Sequence, residues 1–296
     1  MGKMDGKVAF ITGGARGQGR AHALRLAQEG ADIIITDICV PIEGVHYPLA
    51  AETDLAETEK LVRDMNVRCL SYVADARDAG RMKQVADEAV AELGRLDTVV
   101  INHGIGLPHG IDEESLDIWD TVIETNLSSV WRTVVATVPH LKATGPGGSI
   151  IVTGSAASVV AIFNNAAYTV AKHGVIGLVK CLAADLAQDW IRVNAVLPTN
   201  VNTTLFINEY NASRFCPDKE DPTVEDMKIP AESLNLLPVP WMEPEYVSHA
   251  VLFLASDEAK YVTGIAMPVD AGMTIQPPGI TPFLGRRMAE LKQGID

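Results

Sequence analysis

Short apolar stretches alternate with longer amphipathic stretches along the whole chain. The apolar stretches have the length of strands and lie at Val8–Thr12, Ile33–Asp37, Arg68–Val73, Thr98–Asn102, Ser149–Thr153, Arg192–Leu197 and Ile265–Val269. Helical periodicity fills the gaps between them. Strands joined by helices form parallel sheets, because each crossover packs back on the sheet with the same hand. The pattern therefore predicts a single α/β domain over 1–296, with a seven-stranded, doubly wound parallel sheet and helices on both faces.

Three segments interrupt this alternation. Cys39–Thr53 follows the second strand as an irregular, proline-containing insertion (38–53), and Asp54 is expected to cap the helix after it. Thr203–Pro240 contains five prolines and is predicted to be a covering loop over a ligand. The tail Met273–Asp296 follows the last strand, and disorder or docking on a neighbouring subunit are both open for it.

Composition excludes several classes of function. The net charge is -14 and lysine and arginine form no clusters, which argues against binding to nucleic acid or an anionic membrane surface. No apolar run approaches the roughly 20 residues that span a bilayer, and no export signal is visible at the start. The four cysteines have no C-x-x-C spacing, so we expect no metal site and reduced thiols in a cytoplasmic protein.

A glycine-rich turn, T-G-G-A-R-G-Q-G, directly follows the first strand. A strand that runs through such a turn into a helix presents backbone N–H groups to a pyrophosphate, as in Rossmann-type folds. No lysine followed by serine or threonine comes after the glycines, so the turn is not a P-loop. Taken alone, it is equally an ordinary tight turn. Its candidate cofactor-binding residues are Gly13, Arg16, Gly17, Gln18 and Gly19.

Polar residues at the ends of later strands extend this candidate site. Asp37 ends the second strand, where a carboxylate accepts both ribose hydroxyls of an adenosine and repels a 2′-phosphate, so NAD is favoured over NADP. Arg16 is the counter-argument, because a guanidinium there could reach that phosphate. Asp75 is a candidate acceptor for the adenine amino group or, alternatively, a helix cap. Asn102 and Gly104 are candidates to line the central portion of the cofactor.

Tyr168 and Lys172 carry the candidate chemistry. They are four residues apart, so on a helix they share one face, and an ammonium beside a phenol favours the phenolate. The tyrosine would then take a proton from an alcohol or return one to a ketone. Ser155 is thirteen residues upstream and is a candidate to hydrogen-bond the substrate oxygen. Each feature has an ordinary alternative: a half-buried tyrosine beside a solvated lysine, and a serine at a strand end.

These motifs together resemble the short-chain dehydrogenase/reductase family, from Lys7 to about Gly272. T-G-G-A-R-G-Q-G matches T-G-x-x-x-G-x-G, Y-T-V-A-K matches Y-x-x-x-K, and G-S-A-A-S contains the serine. Asn126 in T-N-L matches the family's structural and catalytic asparagine, and P-T-N-V-N-T brings Pro198 and Thr203 into the cofactor site. His103 stands where the family usually has alanine, and Thr199 replaces a glycine.

Within that family the sequence is most similar to the carveol-dehydrogenase-like, mycofactocin-coupled group of actinobacteria. The likeness lies in R-G-Q-G-R-A-H-A, the insertion after Asp37, N-H-G and P-T-N-V-N-T. It implies tightly held NAD that is reoxidised through mycofactocin, with the insertion enclosing the cofactor. It also implies a homotetramer that pairs through helices around Leu116–Leu141 and Ala166–Asp189.

The resemblance further implies that Lys172 holds the nicotinamide ribose and that Asn126 supports a water for proton transfer. For Asn126 the residues alone leave a second interpretation, a local backbone hydrogen bond that kinks its helix. The main hypothesis is an NAD-dependent oxidoreductase for a secondary alcohol or the matching ketone, and the expected substrate is an apolar cyclic or terpenoid, carveol-like compound. The residues that would wall an apolar pocket, or only pack the covering loop down, are Leu205, Phe206, Ile207, Leu236, Leu237 and Trp241.

Two other functions remain open at the level of sequence. One is a dinucleotide-binding redox sensor or scaffold without turnover, which would need only the cofactor half of the motifs. The other is a sugar epimerase or dehydratase, which shares the tyrosine and lysine. That class usually carries G-x-x-G-x-x-G and a larger C-terminal domain, for which this chain ends too soon.

Overall fold

The computed structural model describes residues 2–113 and 115–277; most of the predicted tail, 278–296, lies outside them. The described residues form one seven-stranded parallel sheet in the order β3-β2-β1-β4-β5-β6-β7, which confirms the predicted fold class. Each strand boundary agrees with its prediction to within one residue. The strands are β1 Val8–Thr12, β2 Asp32–Asp37, β3 Cys69–Val73, β4 Thr98–Ile101, β5 Ser149–Thr153, β6 Arg192–Pro198 and β7 Ala266–Val269.

Helices connect the strands and cover both faces of the sheet. Between α4 and α5 the helix widens into a single π-type turn over Glu124–Ser128. The α-helices are α1 Gly17–Gln28, α2 Glu52–Arg63, α3 Ala79–Leu93, α4 Ser115–Ile123, α5 Ser129–Thr144, α6 Ala166–Asp185, α7 Glu209–Phe215, α8 Val224–Glu232 and α9 Pro244–Ala255.

The continuous apolar strands are explained by burial on both sides. Alternate residues of a strand point to opposite faces, so Ile34 packs in one core while Ile33 and Ile35 pack in the other. The first core contains side chains of α3, α5 and α6, and the second contains those of α1, α2 and α9. The sheet is therefore a rigid central layer whose loops are free to carry a site.

The strand order changes direction at β1, which pairs with β2 on one side and β4 on the other. Thr12, its last residue, is in register with Thr36 of β2 and with Ile101 of β4. Loops that leave neighbouring parallel strands in opposite directions open a crevice at the carboxyl edge, where ligands bind in such sheets. This crevice is where the predicted glycine turn and Asp37 lie.

The two irregular segments differ in detail from their predictions. Helix α2 begins at Glu52, so the insertion ends at Ala51 and Asp54 is not its N-cap. Asp54 is the third helical residue and reaches back to accept a hydrogen bond from the Ala51 backbone nitrogen at 2.8 Å. The covering loop contains two short helices, α7 and α8, whose capping side chains, Asn208 and Thr223, account for their starts.

Within residues 2–113 and 115–277, no helix is both long and apolar enough to cross a membrane. In the same part of the chain, no three histidine, cysteine or acidic side chains are grouped as metal ligands. The cysteines, all of which fall in this part, are free thiols.

Candidate active site

A cavity of about 460 Å³ opens in the crevice beyond the carboxyl ends of β1, β2 and β4. Most of the cofactor-binding residues that the sequence predicts lie on its wall. These are Gly13, Arg16, Gly17, Gln18, Asp37, Asp75, Asn102, Gly104 and Thr203. The volume falls in the range of small-molecule sites.

The glycines of the first turn act in two different ways. Gly13 and Gly17 lie on the cavity wall with φ of +63° and +55°, a backbone conformation that side chains disfavour. Gly19 is not among the residues of the cavity wall. A Cβ on Gly19 would lie 1.9 Å from the carbonyl oxygen of Gly13, so this glycine lets α1 pack directly under the turn.

The N-terminus of α1 faces the cavity, because its first residues, Gly17 and Gln18, lie on the wall. Arg16 occupies the N-cap position and, among the described residues, makes no side-chain capping bond to the first turn. The first N–H groups of a helix have no partner within the helix and carry its positive dipole end. Backbone donors at this position suit a phosphate group.

Asp37 is fixed by the backbone around it. One carboxylate oxygen accepts from the Ala15 nitrogen at 3.1 Å and the other from the Ile38 nitrogen at 2.9 Å. Burial raises the pKa of this carboxyl group, against the effect of these backbone hydrogen bonds. Arg16, the counter-argument for a 2′-phosphate, donates instead to the backbone oxygen of Pro48 in the insertion. Its guanidinium is therefore tied to the wall of the site.

Asp75 is paired with a neighbour that the sequence did not single out. Arg77 donates to both of its carboxylate oxygens, with Nε 3.0 Å from Oδ1 and Nη2 2.7 Å from Oδ2. Although burial opposes it, this pairing lowers the pKa of Asp75. The alternative of a helix cap is wrong, because Asp78 caps α3 by accepting from the Arg81 nitrogen.

The predicted catalytic groups meet at the ends of β5 and α6. Lys172 is buried on α6, and its Nζ donates to the backbone oxygen of Thr153 at 2.7 Å. The same Nζ lies 5.7 Å from the centroid of the Tyr168 ring. The Ser155 side chain neighbours that of Tyr168, and its Oγ accepts from the Ala157 nitrogen at 3.1 Å. The serine, phenol and ammonium are thus brought together.

Burial, rather than the Lys172 ammonium, decides the direction in which the Tyr168 pKa is shifted. Burial raises the pKa of the Tyr168 phenol, and the Ser155 side chain only partly opposes this. Burial also lowers the pKa of Lys172 to about 8. The ammonium is directed at the Thr153 carbonyl, and both groups lose water, which disfavours their charged forms. In this arrangement the neutral phenol is the favoured form of the tyrosine.

Asn126 lies in the π-type turn and binds a distant segment. Its Oδ1 accepts from the Ile105 nitrogen at 2.8 Å, and its Nδ2 donates to the Ile105 oxygen at 2.7 Å. The alternative of a local backbone bond for this side chain is therefore wrong. A Cβ on Gly104 would lie 3.1 Å from Asn126 Oδ1 and 3.7 Å from Lys172 Nζ. Gly104 thus joins the catalytic groups to the cavity wall.

Several predicted residues stand behind the wall rather than on it. Pro198 is buried at the end of β6 and does not line the cavity, unlike Thr203 in the same motif. Thr199 uses its hydroxyl to bond Asn235 Oδ1 at 2.9 Å, which ties β6 to the covering loop. This bond is the role of the residue that replaces the family's glycine.

The apolar residues of the covering loop divide between the two predicted roles. Leu205 and Ile207 line the cavity. Phe206 instead packs on Phe215 and Trp241, with ring centroids 5.7 and 6.4 Å away. Leu236 and Leu237 do not line the cavity. Their backbone nitrogens donate to the Ala271 oxygen, and the Leu236 side chain packs on Gly272.

Other residues of the wall were missed by sequence reasoning. One of them is Thr125, whose buried hydroxyl has no partner among the described residues. The side-chain oxygen of Gln18, a residue that the sequence did predict, is also buried without a partner there. Tyr47 reaches the cavity from the insertion and accepts from the Gly106 nitrogen at 3.0 Å. The only feature of the sequence that points to Tyr47 is its position in the insertion beside the site. For Thr125 the only such feature is that it directly precedes Asn126.

The arrangement of turn, carboxylate, serine, tyrosine and lysine agrees with the comparison with known proteins. A family model described as enoyl-(acyl carrier protein) reductase matches residues 13–274. The chain belongs to the short-chain dehydrogenase/reductase family.

Similar proteins within the family come from actinobacteria. A short-chain type dehydrogenase/reductase of Mycolicibacterium smegmatis is 51% identical over 93% of this chain and 99% of its own length. The (-)-trans-carveol dehydrogenase of Rhodococcus erythropolis is 44% identical over 93% of this chain and 100% of its own. A crystal structure of carveol dehydrogenase from Mycobacterium avium in complex with NAD is 48% identical and has a TM-score of 0.92, over 93% of this chain and 100% of that one.

Proposed function

We propose that the protein is an NAD-dependent oxidoreductase that interconverts a secondary alcohol and a ketone. The observation that carries this proposal is that Ser155, Tyr168 and Lys172 lie together and that Lys172 is next to Gly104, a residue of the cavity wall. A protein that only binds a dinucleotide has no need of this second group of residues. The crystallised relative in complex with NAD supports the choice of cofactor.

The residues on the wall fit NAD. The open glycine turn and the N-terminus of α1 suit its pyrophosphate, and Asp37 suits the adenosine ribose. The buried, unpartnered polar atoms of Thr125 and Gln18 offer further hydrogen-bonding groups to a ligand. Bound NAD supplies a hydride acceptor for the alcohol carbon, and its reduced form a hydride donor for the ketone.

Tyr168 transfers the proton. A neutral phenol donates its hydrogen to the substrate oxygen during ketone reduction and takes it back during alcohol oxidation. Ser155 holds the same oxygen by a hydrogen bond and stabilises the charge that develops there. Lys172 places a cation within reach of the tyrosine ring, so it favours the phenolate that oxidation requires. Asn126 fixes the Ile105 backbone beside them.

We propose an apolar cyclic or terpenoid compound as the substrate. Leu205 lies against Gly106, where a Cβ would be 3.5 Å from one of its methyl groups, and Ile207 also faces the cavity. Leucine and isoleucine offer no hydrogen bond, so they favour an apolar ligand. The carveol dehydrogenase of Rhodococcus erythropolis, a relative named for a cyclic terpenoid alcohol, supports the same class.

A direct assay separates this function from the non-catalytic alternative. The protein is incubated with NAD and a panel of cyclic secondary alcohols, and absorbance is followed near 340 nm, where NADH absorbs. The matching ketones are tested with NADH. Turnover in either direction supports the enzyme. Retained cofactor with no absorbance change across both panels would favour a redox sensor or scaffold.

We propose a homotetrameric assembly and mycofactocin as a redox partner. Trp131, Val135 and Val170 are exposed on α5 and α6, which supports pairing of these helices in a homotetramer. Sedimentation velocity tests this directly. The likeness to the mycofactocin-coupled group supports NAD that is held tightly and reoxidised through mycofactocin. Mass spectrometry of the purified protein, under native and then denaturing conditions, tests whether NAD stays bound during purification. The free thiols support a cytoplasmic location.

We expect Asp37→Ala to weaken NAD binding about 10- to 100-fold and NADP binding much less. The reason is that hydrogen bonds to a charged group contribute about 1.5–3 kcal/mol each, and the ribose hydroxyls would lose them. Dissociation constants for both cofactors are measured by fluorescence titration. Asp32→Ala, at the opposite end of β2, is the matched control and should leave both constants unchanged. An unchanged NAD to NADP ratio in Asp37→Ala would contradict the contact with the ribose.

A further inference from the structure

The imidazole of His103 lies in a continuous series of side-chain hydrogen bonds that the proposed chemistry does not use. Its Nδ1 is 2.7 Å from Thr12 Oγ1, and its Nε2 is 2.6 Å from Ser129 Oγ. The Ser129 hydroxyl continues the series to the backbone oxygen of Thr125, at 2.6 Å. Thr12 and Ser129 are fully buried, so these bonds do not compete with solvent.

The direction of each bond follows from the groups at the end of the series. A carbonyl oxygen only accepts, so the hydroxyl hydrogen of Ser129 points at Thr125. Ser129 Oγ then accepts from a protonated Nε2 of His103. The remaining nitrogen, Nδ1, carries a lone pair in the neutral ring and accepts from the Thr12 hydroxyl. The series therefore defines one tautomer, with the hydrogen on Nε2.

A charged ring does not fit the same surroundings. Thr12 Oγ1 already accepts from the Asn102 nitrogen at 3.1 Å, and an imidazolium would bring another N–H against it. Burial, followed by the charge of Lys172, lowers the pKa of His103 to about 4, with Asp75 acting in the opposite direction. His103 is neutral throughout the physiological range.

The ring connects two elements that border the cavity. Thr12 ends β1, and Ser129 begins α5 directly after the π-type turn. Inside that turn, Asn126 holds both polar backbone atoms of Ile105. The segment 102–105 is thus fastened at His103 and again at Ile105. Gly104, between these two points, lies on the cavity wall next to Lys172.

We propose that His103 is a positioning residue for the reaction. In its neutral, Nε2-protonated form it fixes the segment 102–105 between β1 and the π-type turn, and so sets the distance of the cofactor wall from Lys172. The alanine that the family usually has here can form neither of these bonds. This inference rests on the proposed function, since its effect is on the placement of a bound dinucleotide.

The tautomer is tested by NMR on protein with ¹⁵N-labelled histidine, without any assay of turnover. His103→Ala identifies the signal. We expect one ring whose Nε2 carries a proton and whose Nδ1 does not, unchanged from about pH 5 to about pH 8, although a free histidine titrates near 6.5. An imidazolium at neutral pH, or a hydrogen on Nδ1, would overturn the proposal.

The positioning role is tested by Ser129→Ala, which keeps the imidazole and removes its acceptor. We expect NADH to bind about tenfold more weakly, the effect of losing one well-made buried hydrogen bond. We also expect kcat to fall by a larger factor than KM changes, since misplaced reactants mainly slow the chemical step. Ser128→Ala, the adjacent serine outside the series, should match the wild type in both.

The outcomes separate this inference from the proposed function. Equal NADH affinity and kcat in Ser129→Ala and Ser128→Ala would overturn the positioning role. If the wild type binds NADH but never turns over, the proposed function fails, and the NADH titration with the NMR result still decides the role of His103. If Ser129→Ala does not fold, the tautomer in the wild type decides it.

Discussion

Tyr168→Phe should fold and bind NAD like the wild type but lose about 10²- to 10⁴-fold in kcat. The substitution removes only the hydroxyl group, so the packing of α6 on the sheet is kept. The lost factor is the usual contribution of a positioned general acid or base. The rates of ketone reduction and of alcohol oxidation should both fall, because the same hydroxyl donates to the ketone and accepts from the alcohol. Steady-state rates near 340 nm measure the loss.

The pH profile adds a second readout for this variant. Burial raises the pKa of the phenol, so in the wild type we expect ketone reduction to be favoured at neutral pH and alcohol oxidation to rise as the pH increases. Tyr168→Phe should lose that rise. Tyr246→Phe, on the exposed face of α9, is the control and should behave as the wild type. Full activity in Tyr168→Phe would remove the proposed proton donor.

Lys172→Met should lose activity and gain stability. The native pKa of Lys172 is about 8, whereas its ordinary value is 10.5. This lowering of the pKa corresponds to roughly 3 kcal/mol of unfavourable free energy for keeping the ammonium buried below pH 8. Methionine has a similar length without the charge, but it gives up the hydrogen bond to Thr153. We therefore expect a net gain of about 1–3 kcal/mol at pH 7.

The gain should depend on pH in a defined direction. Between pH 8 and 10.5 the unfolded chain holds the lysine proton and the native protein has released it, so wild-type stability rises with pH. The advantage of Lys172→Met is thus complete below about pH 8 and fades as the pH approaches 10.5. Urea unfolding of both proteins at several pH values measures it.

Lys180→Met, an exposed position on the same helix, is the matched control and should change stability little at any pH. A Lys172→Met protein that is less stable than the wild type at neutral pH would contradict the buried-charge interpretation. It would mean that the bond to Thr153 outweighs the loss of water around the ammonium.

The fold could be predicted from sequence because its signals are local. Buried strands of a parallel sheet are apolar throughout, and Ile33–Ile35 illustrates how such a run stands out between amphipathic stretches. The glycine turn was equally visible, since it directly follows β1. The positions of Asp37 and Asn102 on the cavity wall were predictable, because both follow strands and the carboxyl ends of parallel strands share one edge.

The features of the site that could not be predicted from the sequence depend on groups that are distant along the chain. The direction of the Tyr168 pKa is set by burial and by where Lys172 Nζ points, and neither follows from their four-residue spacing. The close packing of Gly19 on the Gly13 carbonyl, which leaves no room for a side chain, is likewise a tertiary contact. Asn126 bonds Ile105, a partner that periodicity on its own helix cannot reveal.

The two departures from the family pattern, His103 and Thr199, have the same explanation. Each replaces a small residue with one that forms a hydrogen bond to another element: His103 to Thr12 and Ser129, and Thr199 to Asn235. The sequence shows only that these two residues differ from the family pattern. It does not show their hydrogen-bond partners, because these are defined by the tertiary structure. In the folded protein they fasten the loops around the cavity.

The most direct test of the central claim is a crystal structure of the protein grown with NAD. It measures where the pyridine ring lies relative to Ser155, Tyr168 and Lys172. We expect the ring beside Gly104, with the Tyr168 and Ser155 hydroxyls facing its C4 edge and Lys172 within hydrogen-bonding distance of the adjoining ribose. A bound dinucleotide whose pyridine ring lies away from these three side chains would contradict the proposal that they catalyse hydride transfer.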